Sequence, residues 1–138
     1  MTFQKITIEA TINTNIQTAW DSYTQPEHIT QWNFADDSWH CPSAENDLKV
    51  GGKMKSRMEA KDGSFGFDFE GIYDVVEDKK RLVYHLEDGR VVETTFADQG
   101  NSVLVTTTFD AETQNPIEMQ RDGWQAILNN YKKHTENS

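Results

Sequence analysis

Apolar residues recur at every second position through much of this chain, and at every third or fourth position in three places. Near the start, Phe3, Ile6, Ile8, Ala10 and Ile12 include an even-numbered alternation with Thr7, Glu9 and Thr11, the period of a half-buried strand. Thr14-Asn15-Ile16-Gln17 has capping-box spacing, with Thr14 as the expected N-cap, and Ile16, Ala19, Trp20 and Tyr23 follow at helical intervals. Pro26 suits the first turn of a second short helix, where its missing N–H costs nothing, and that helix carries Ile29 and Trp32. From Asn33 to Val50 the periodicity fails, so an ordered loop holding Trp39, His40, Cys41 and Pro42 is expected, ending at Gly51-Gly52.

Alternation then returns. Met54, Ser56 and Met58 alternate with Lys53, Lys55 and Arg57, and Asp62-Gly63 reads as a two-residue hairpin turn. Beyond it Phe65, Phe67 and Phe69 occupy one side of a strand and Gly66, Asp68 and Glu70 the other. That strand continues through Ile72, Tyr73, Val75 and Val76, with Gly71 marking an expected bulge or bend. Arg81–Glu87 places Leu82, Tyr84 and Leu86 on one face; Asp88-Gly89 is a second hairpin signal, and Arg90–Ala97 and Ser102–Asp110 are further strands. Asn115-Pro116 opens a last helix, with Ile117, Gln120, Trp124, Ile127, Leu128 and Tyr131 along one stripe. The pattern predicts an α+β fold: two short helices after the first strand, about six antiparallel strands, and a long C-terminal helix packed on their apolar face.

Length supports this picture. A chain of 138 residues suits one domain over 1–138 and buries roughly two-thirds of its unfolded surface, enough for a core without disulfides or metal. Aromatic residues make up 11% and the net charge is −10. Such acidity argues against nucleic acid and anionic membrane surfaces as partners, since both call for basic patches. Cys41 is the only cysteine, so no intrachain disulfide can form. The N-terminus lacks the apolar region of a signal peptide and no apolar run reaches membrane-spanning length, so a cytoplasmic protein without membrane insertion is expected.

Chemistry has few carriers. Adjacent residues in extended chain point to opposite sides, so His40 and Cys41 do not form a natural thiolate–imidazole pair. The remaining histidines, His28, His85 and His134, lack metal-ligand spacing, and neither a metal nor a cofactor is expected. Asp68 and Glu70 lie opposite the phenylalanines and read as a solvated face, while Glu45 and Asp47 read as loop-ordering acceptors. Only a bulge would turn His85 or Glu93 inward. No Ser-His-Asp arrangement, phosphate-binding glycine loop or dinucleotide fingerprint is present.

Four stretches together carry a more specific signal: Trp39-His40-Cys41-Pro42 through Glu45-Asn46-Asp47 to Gly51-Gly52; Phe69-Glu70-Gly71-Ile72-Tyr73; Leu82-Val83-Tyr84-His85-Leu86; and Gly123-Trp124 through Tyr131. In this order, over essentially the whole chain, they resemble the bacterial single-domain homologues of the C-terminal domain of the heat-shock-protein ATPase activator. That group falls within the START and polyketide-cyclase-like SRPBCC superfamily. The resemblance implies a START-like helix-grip fold, a curved sheet around the C-terminal helix. In the eukaryotic activator another domain precedes this one, whereas here the first strand begins almost at Met1. Relatives use the enclosed cavity for hydrophobic ligands, some perform chemistry there, and others dock on chaperones.

The expectation is therefore a hydrophobic or aromatic small molecule held between sheet and helix. Its candidate contacts are Trp32, Trp39, His40, Phe65, Phe67, Phe69, Tyr84, Trp124, Leu128 and Tyr131. The alternatives are a co-chaperone-like module with a chaperone partner, and a cyclase- or dehydratase-type enzyme using the same cavity.

Overall fold

The computed structural model describes residues 3–137. Its elements are β1 Lys5–Ile12, α1 Ile16–Thr24, α2 Pro26–Trp32, β2 Trp39–Asn46, β3 Lys53–Ala60, β4 Gly66–Glu77, β5 Arg81–His85, β6 Val91–Asp98, β7 Val103–Asp110 and α3 Ile117–Glu136. All strands pair antiparallel in one sheet of order β1-β7-β6-β5-β4-β3-β2. The fold is the expected α+β grip, with seven strands in place of about six. The additional strand is β2, inside the stretch expected to be a loop. Its register breaks between His40 and Ser43, across Pro42, and it pairs only with β3. Proline and a broken register are tolerated on a sheet edge, and they erase the alternation that would have announced a strand.

Alternation builds the inner face elsewhere. Ile6, Ile8 and Ile12 of β1, Val92, Thr94 and Phe96 of β6, and Val103, Val105, Thr107 and Phe109 of β7 are all buried. Phe3 precedes β1. The cap of α1 is Asn15 rather than Thr14: its Oδ1 accepts from the Thr18 N–H at 2.8 Å. Pro26 does open α2.

Both Asp-Gly turns are longer than two residues. In each, only the glycine has positive φ, +77° at Gly63 and +90° at Gly89. The Gly63 N–H donates to the Ala60 carbonyl and the Gly89 N–H to the Leu86 carbonyl, closing turns that end on a left-handed glycine. Gly71 marks no bulge; the register of β4 on β5 shifts instead between Tyr73 and Val75. Glycine is required at position 71 because a Cβ there would lie 2.6 Å from Cδ2 of the Tyr84 ring.

The last helix, α3, is fastened most firmly at its C-terminal half. The Tyr131 hydroxyl donates to the Ala19 carbonyl at 2.5 Å, and its ring meets Tyr23 and Trp32. Asn130 donates to the Phe34 carbonyl and Lys132 to the Thr11 carbonyl. Toward the N-terminal half, Trp124 stacks on Phe109 with ring centroids 4.0 Å apart. No helix among the described residues is long and apolar enough to cross a membrane.

Candidate functional site

Between the sheet and the N-terminal half of α3 lies a cavity of about 650 Å³. Its aromatic wall joins Trp32 of α2, Phe69 and Tyr73 of β4, Tyr84 of β5 and Trp124 of α3, with Tyr23 of α1 behind them. Phe69 meets both Tyr84 and Trp124 edge-on, at 6.3 and 6.0 Å between centroids. Leu82, Leu128, Met54 and Met58 add apolar surface. Phe65 and Phe67 complete the wall on the solvent side, 60% and 41% exposed.

The phenylalanine row thus spans from solvent to core. Phe65 lies in the turn before β4, and residues 66–71 of β4 pair with β3 alone, because the ladder to β5 begins at Ile72. The segment is therefore half-edged at this end rather than internal to the sheet.

Seven of the ten expected contact residues line the cavity: Trp32, Phe65, Phe67, Phe69, Tyr84, Trp124 and Leu128. Trp39, His40 and Tyr131 do not. Trp39, on the edge strand, packs against Phe65 and Phe67 at 6.0 and 6.1 Å between centroids. His40 faces Glu59 across the β2–β3 ladder, Nε2 to Oε1 3.7 Å. Tyr131 is wholly buried and spends its hydroxyl on Ala19, so it braces the helix and leaves the wall to Leu128 one turn earlier.

Polar groups in the wall are mostly hydroxyls. The Tyr23 hydroxyl shares a hydrogen bond with Thr94 Oγ1 at 3.2 Å, and Thr94 bonds Thr107 Oγ1 at 2.9 Å. The Tyr73 hydroxyl donates to Asn46 Oδ1 at 2.7 Å, and the Asn46 amide donates to the Thr24 carbonyl. Burial pushes the Tyr23, Tyr73 and Tyr84 phenols above their ordinary range, so all three stay protonated. Thr94 and Thr107 escaped the sequence reading, although each interrupts an apolar row, Val92-Thr94-Phe96 and Val105-Thr107-Phe109. A hydroxyl in such a row was the available signal.

Charge stays near the margin. Glu45 is exposed and Glu112 half-buried, and the Arg90 guanidinium is bound to Asp88 at 2.7 Å. Gln120 ties down the lip formed by residues 112–115, accepting from the Glu112 N–H and donating to the Glu112 and Asn115 carbonyls. His85 and Glu93 stay outside, paired with Asp74 and Arg81. Asp68 and Glu70 pair with lysines on the outer face, and Asp47 pairs with Lys49 instead of ordering the backbone. Cys41 is a buried free thiol whose pKa is raised by burial. Among the described residues no three His, Cys, Asp or Glu side chains gather as a metal site.

A curled antiparallel sheet closed by two short helices, gripping a long C-terminal helix over a cavity, defines a helix-grip protein of the START/SRPBCC type. The family model described as Activator of Hsp90 ATPase homolog 1-like protein matches residues 13–136, and the chain belongs to that family. It is similar to an AHSA1-like protein from Aeromonas hydrophila solved by NMR: 42% identity, 97% of this chain and 93% of that chain covered, TM-score 0.90. It also resembles a protein from Cytophaga hutchinsonii at 45% identity, over 96% of this chain and 92% of that one, TM-score 0.83. A protein from Nitrosomonas europaea, 17% identical, shares the fold over 96% of this chain and 94% of its own, TM-score 0.84. A comparison with curated proteins found no match.

Proposed function

We propose that this protein binds a hydrophobic or aromatic small molecule in the cavity between the sheet and the N-terminal half of α3. The observation that carries the reading is the cavity itself: about 650 Å³, walled by rings, in a fold commonly used for ligand binding. Pockets of this size and lining suit drug-sized molecules. Removing about 300 Å² of apolar ligand surface from water is worth about 7 kcal/mol before the cost of association. That is less than the about 8 kcal/mol of micromolar affinity, so apolar burial alone gives weaker binding and polar contacts must add to it.

Phe69, Tyr84 and Trp124 would supply most of the contact, and Phe65 and Phe67 would close over the ligand from the solvent side. Native mass spectrometry of protein isolated from its own host tests this directly. A co-purified small molecule, released on denaturation, is expected. Protein that emerges without an adduct, and whose cavity resonances do not move with any apolar probe, would overturn the reading.

A second reading, a co-chaperone-like module, draws on the ring cluster of Trp39, Phe65 and Phe67, two of whose members are exposed. It predicts that a purified Hsp90-type chaperone binds the wild-type protein and not a Phe65→Ser/Phe67→Ser variant. No binding at micromolar concentration would dismiss it.

A further inference from the structure

We propose that the ligand is uncharged and presents an accepting oxygen, such as a ketone or ester carbonyl, to the hydroxyl of Tyr84. This rests on the cavity being a ligand site and specifies what it selects. The other phenols of the wall are already committed: Tyr23 to Thr94, which is in turn bonded to Thr107, and Tyr73 to Asn46. Tyr84 differs. It is only 8% exposed and lines the cavity, yet among the described residues its hydroxyl has no hydrogen-bond partner. Nor is that oxygen sealed into the packing, so it borders the open volume.

An apolar ligand that fills the cavity would cut this hydroxyl off from water and leave a buried donor unpartnered, a cost that a ligand bringing an acceptor avoids. The donor is held in place: the Tyr84 ring lies over Gly71 and meets Phe69 and Tyr73 edge-on. Burial and the neighbouring phenols keep its proton on at any working pH.

Charge selects against anions. Two of the three charged side chains in the wall are carboxylates, Glu45 and Glu112, and the third, Arg90, is bound to Asp88. A carboxylate entering the cavity would lose its hydration without gaining an uncommitted cation, in a protein whose net charge is already −10.

Three probes of one shape separate the possibilities: 2-acetylnaphthalene, 2-isopropylnaphthalene and 2-naphthoate, titrated at pH 7 and followed by amide chemical shifts of the cavity residues. With the ketone carrying ¹³C at its carbonyl, a bound resonance downfield of its position in apolar solvent reports the hydrogen bond in the wild-type protein. Tyr84→Phe, which removes an oxygen with no protein partner, is expected to weaken the ketone about fivefold to tenfold while sparing the hydrocarbon. The naphthoate is expected to bind more weakly than the ketone.

Equal loss of ketone and hydrocarbon in the variant would overturn the assignment. So would a bound carbonyl resonance unchanged from apolar solvent, or a naphthoate that outcompetes the ketone. If none of the probes moves a cavity resonance, the ligand-binding reading itself fails, an outcome distinct from binding without Tyr84.

Discussion

The same substitution at two glycines should move stability in opposite directions. At Gly71 an added Cβ would lie 2.6 Å from Tyr84 Cδ2, 3.3 Å from Cε2 and 3.1 Å from the His85 carbonyl oxygen. Carbon atoms in contact prefer about 3.5–4.0 Å, so the ring must retreat by about 1 Å. One side of it is backbone and the other is cavity, so the ring moves into the cavity and loses its edge contacts with Phe69 and Tyr73. Overpacking of this kind costs about 1–3 kcal/mol.

At Gly123, in α3, nothing lies within 4 Å of an added Cβ. Alanine there gains helix propensity worth about 1 kcal/mol. Unfolding entropy for a chain of this length is about 0.3 kcal/mol per degree. Gly71→Ala should therefore lower Tm by about 3–10 °C and Gly123→Ala raise it by about 3 °C. Paired thermal and urea unfolding, followed by far-UV circular dichroism, measures both. A Gly71→Ala protein as stable as wild type would refute the close approach of Tyr84, and with it the placement of the proposed donor.

Three further outcomes follow from the packing. Trp124→Ala removes the stack on Phe109 and the edge contact with Phe69, and because the ring is half-buried it should cost about 2–3 kcal/mol in urea unfolding, less than a fully buried ring; a loss under 1 kcal/mol would mean that α3 does not rest on that ring. His134, 3.0 Å from His28 (Nε2 to Nδ1), has its pKa lowered by burial and then by the neighbouring imidazole. The unfolded chain therefore binds the proton more readily, so stability is full above about pH 6.5 and declines as pH falls through the depressed value. His134→Gln should flatten that part of the profile, and an unchanged slope would reject the assignment. Cys41, buried and with its thiol pKa raised, should react with a disulfide reagent at pH 8 only at the rate of unfolding; prompt labelling of the native protein would contradict its burial.

The fold was legible wherever one face of an element is buried and the other wet. Ile6, Ile8 and Ile12, or Val103, Val105 and Phe109, repeat with the strand period because a single inner face selects them. Trp39–Asn46 was not legible, because an edge strand broken at Pro42 has no continuous apolar row to display. The wall residues Phe69, Tyr84 and Trp124 could be named from spacing alone. Tyr131 shares the spacing of Trp124 and Leu128 but lies near the clamped end of α3, where its ring meets α1 and α2. Periodicity identifies the face of a helix and says nothing about which part of that face is covered by a neighbour.

That distinction also accounts for the cavity. β4 has twelve residues and β5 five, and the two pair only from Ile72 onward. The first half of β4 therefore has β3 on one side and no strand on the other. At the opposite end of the groove α1 fills the space with Ala19 and Trp20, Ile29 and Trp32 of α2 bound the cavity, and Tyr131 holds α3 to α1. No equivalent helix covers the N-terminal half of α3, which is separated from the sheet by rings instead. The volume is thus a consequence of unequal strand lengths and one-sided clamping, and Phe65 and Phe67 are exposed because they line its unclamped end. An extension of β5 that paired with residues 66–70 would be expected to narrow the mouth without touching the core, whereas loss of Tyr131 would loosen the helix and leave the mouth as it is.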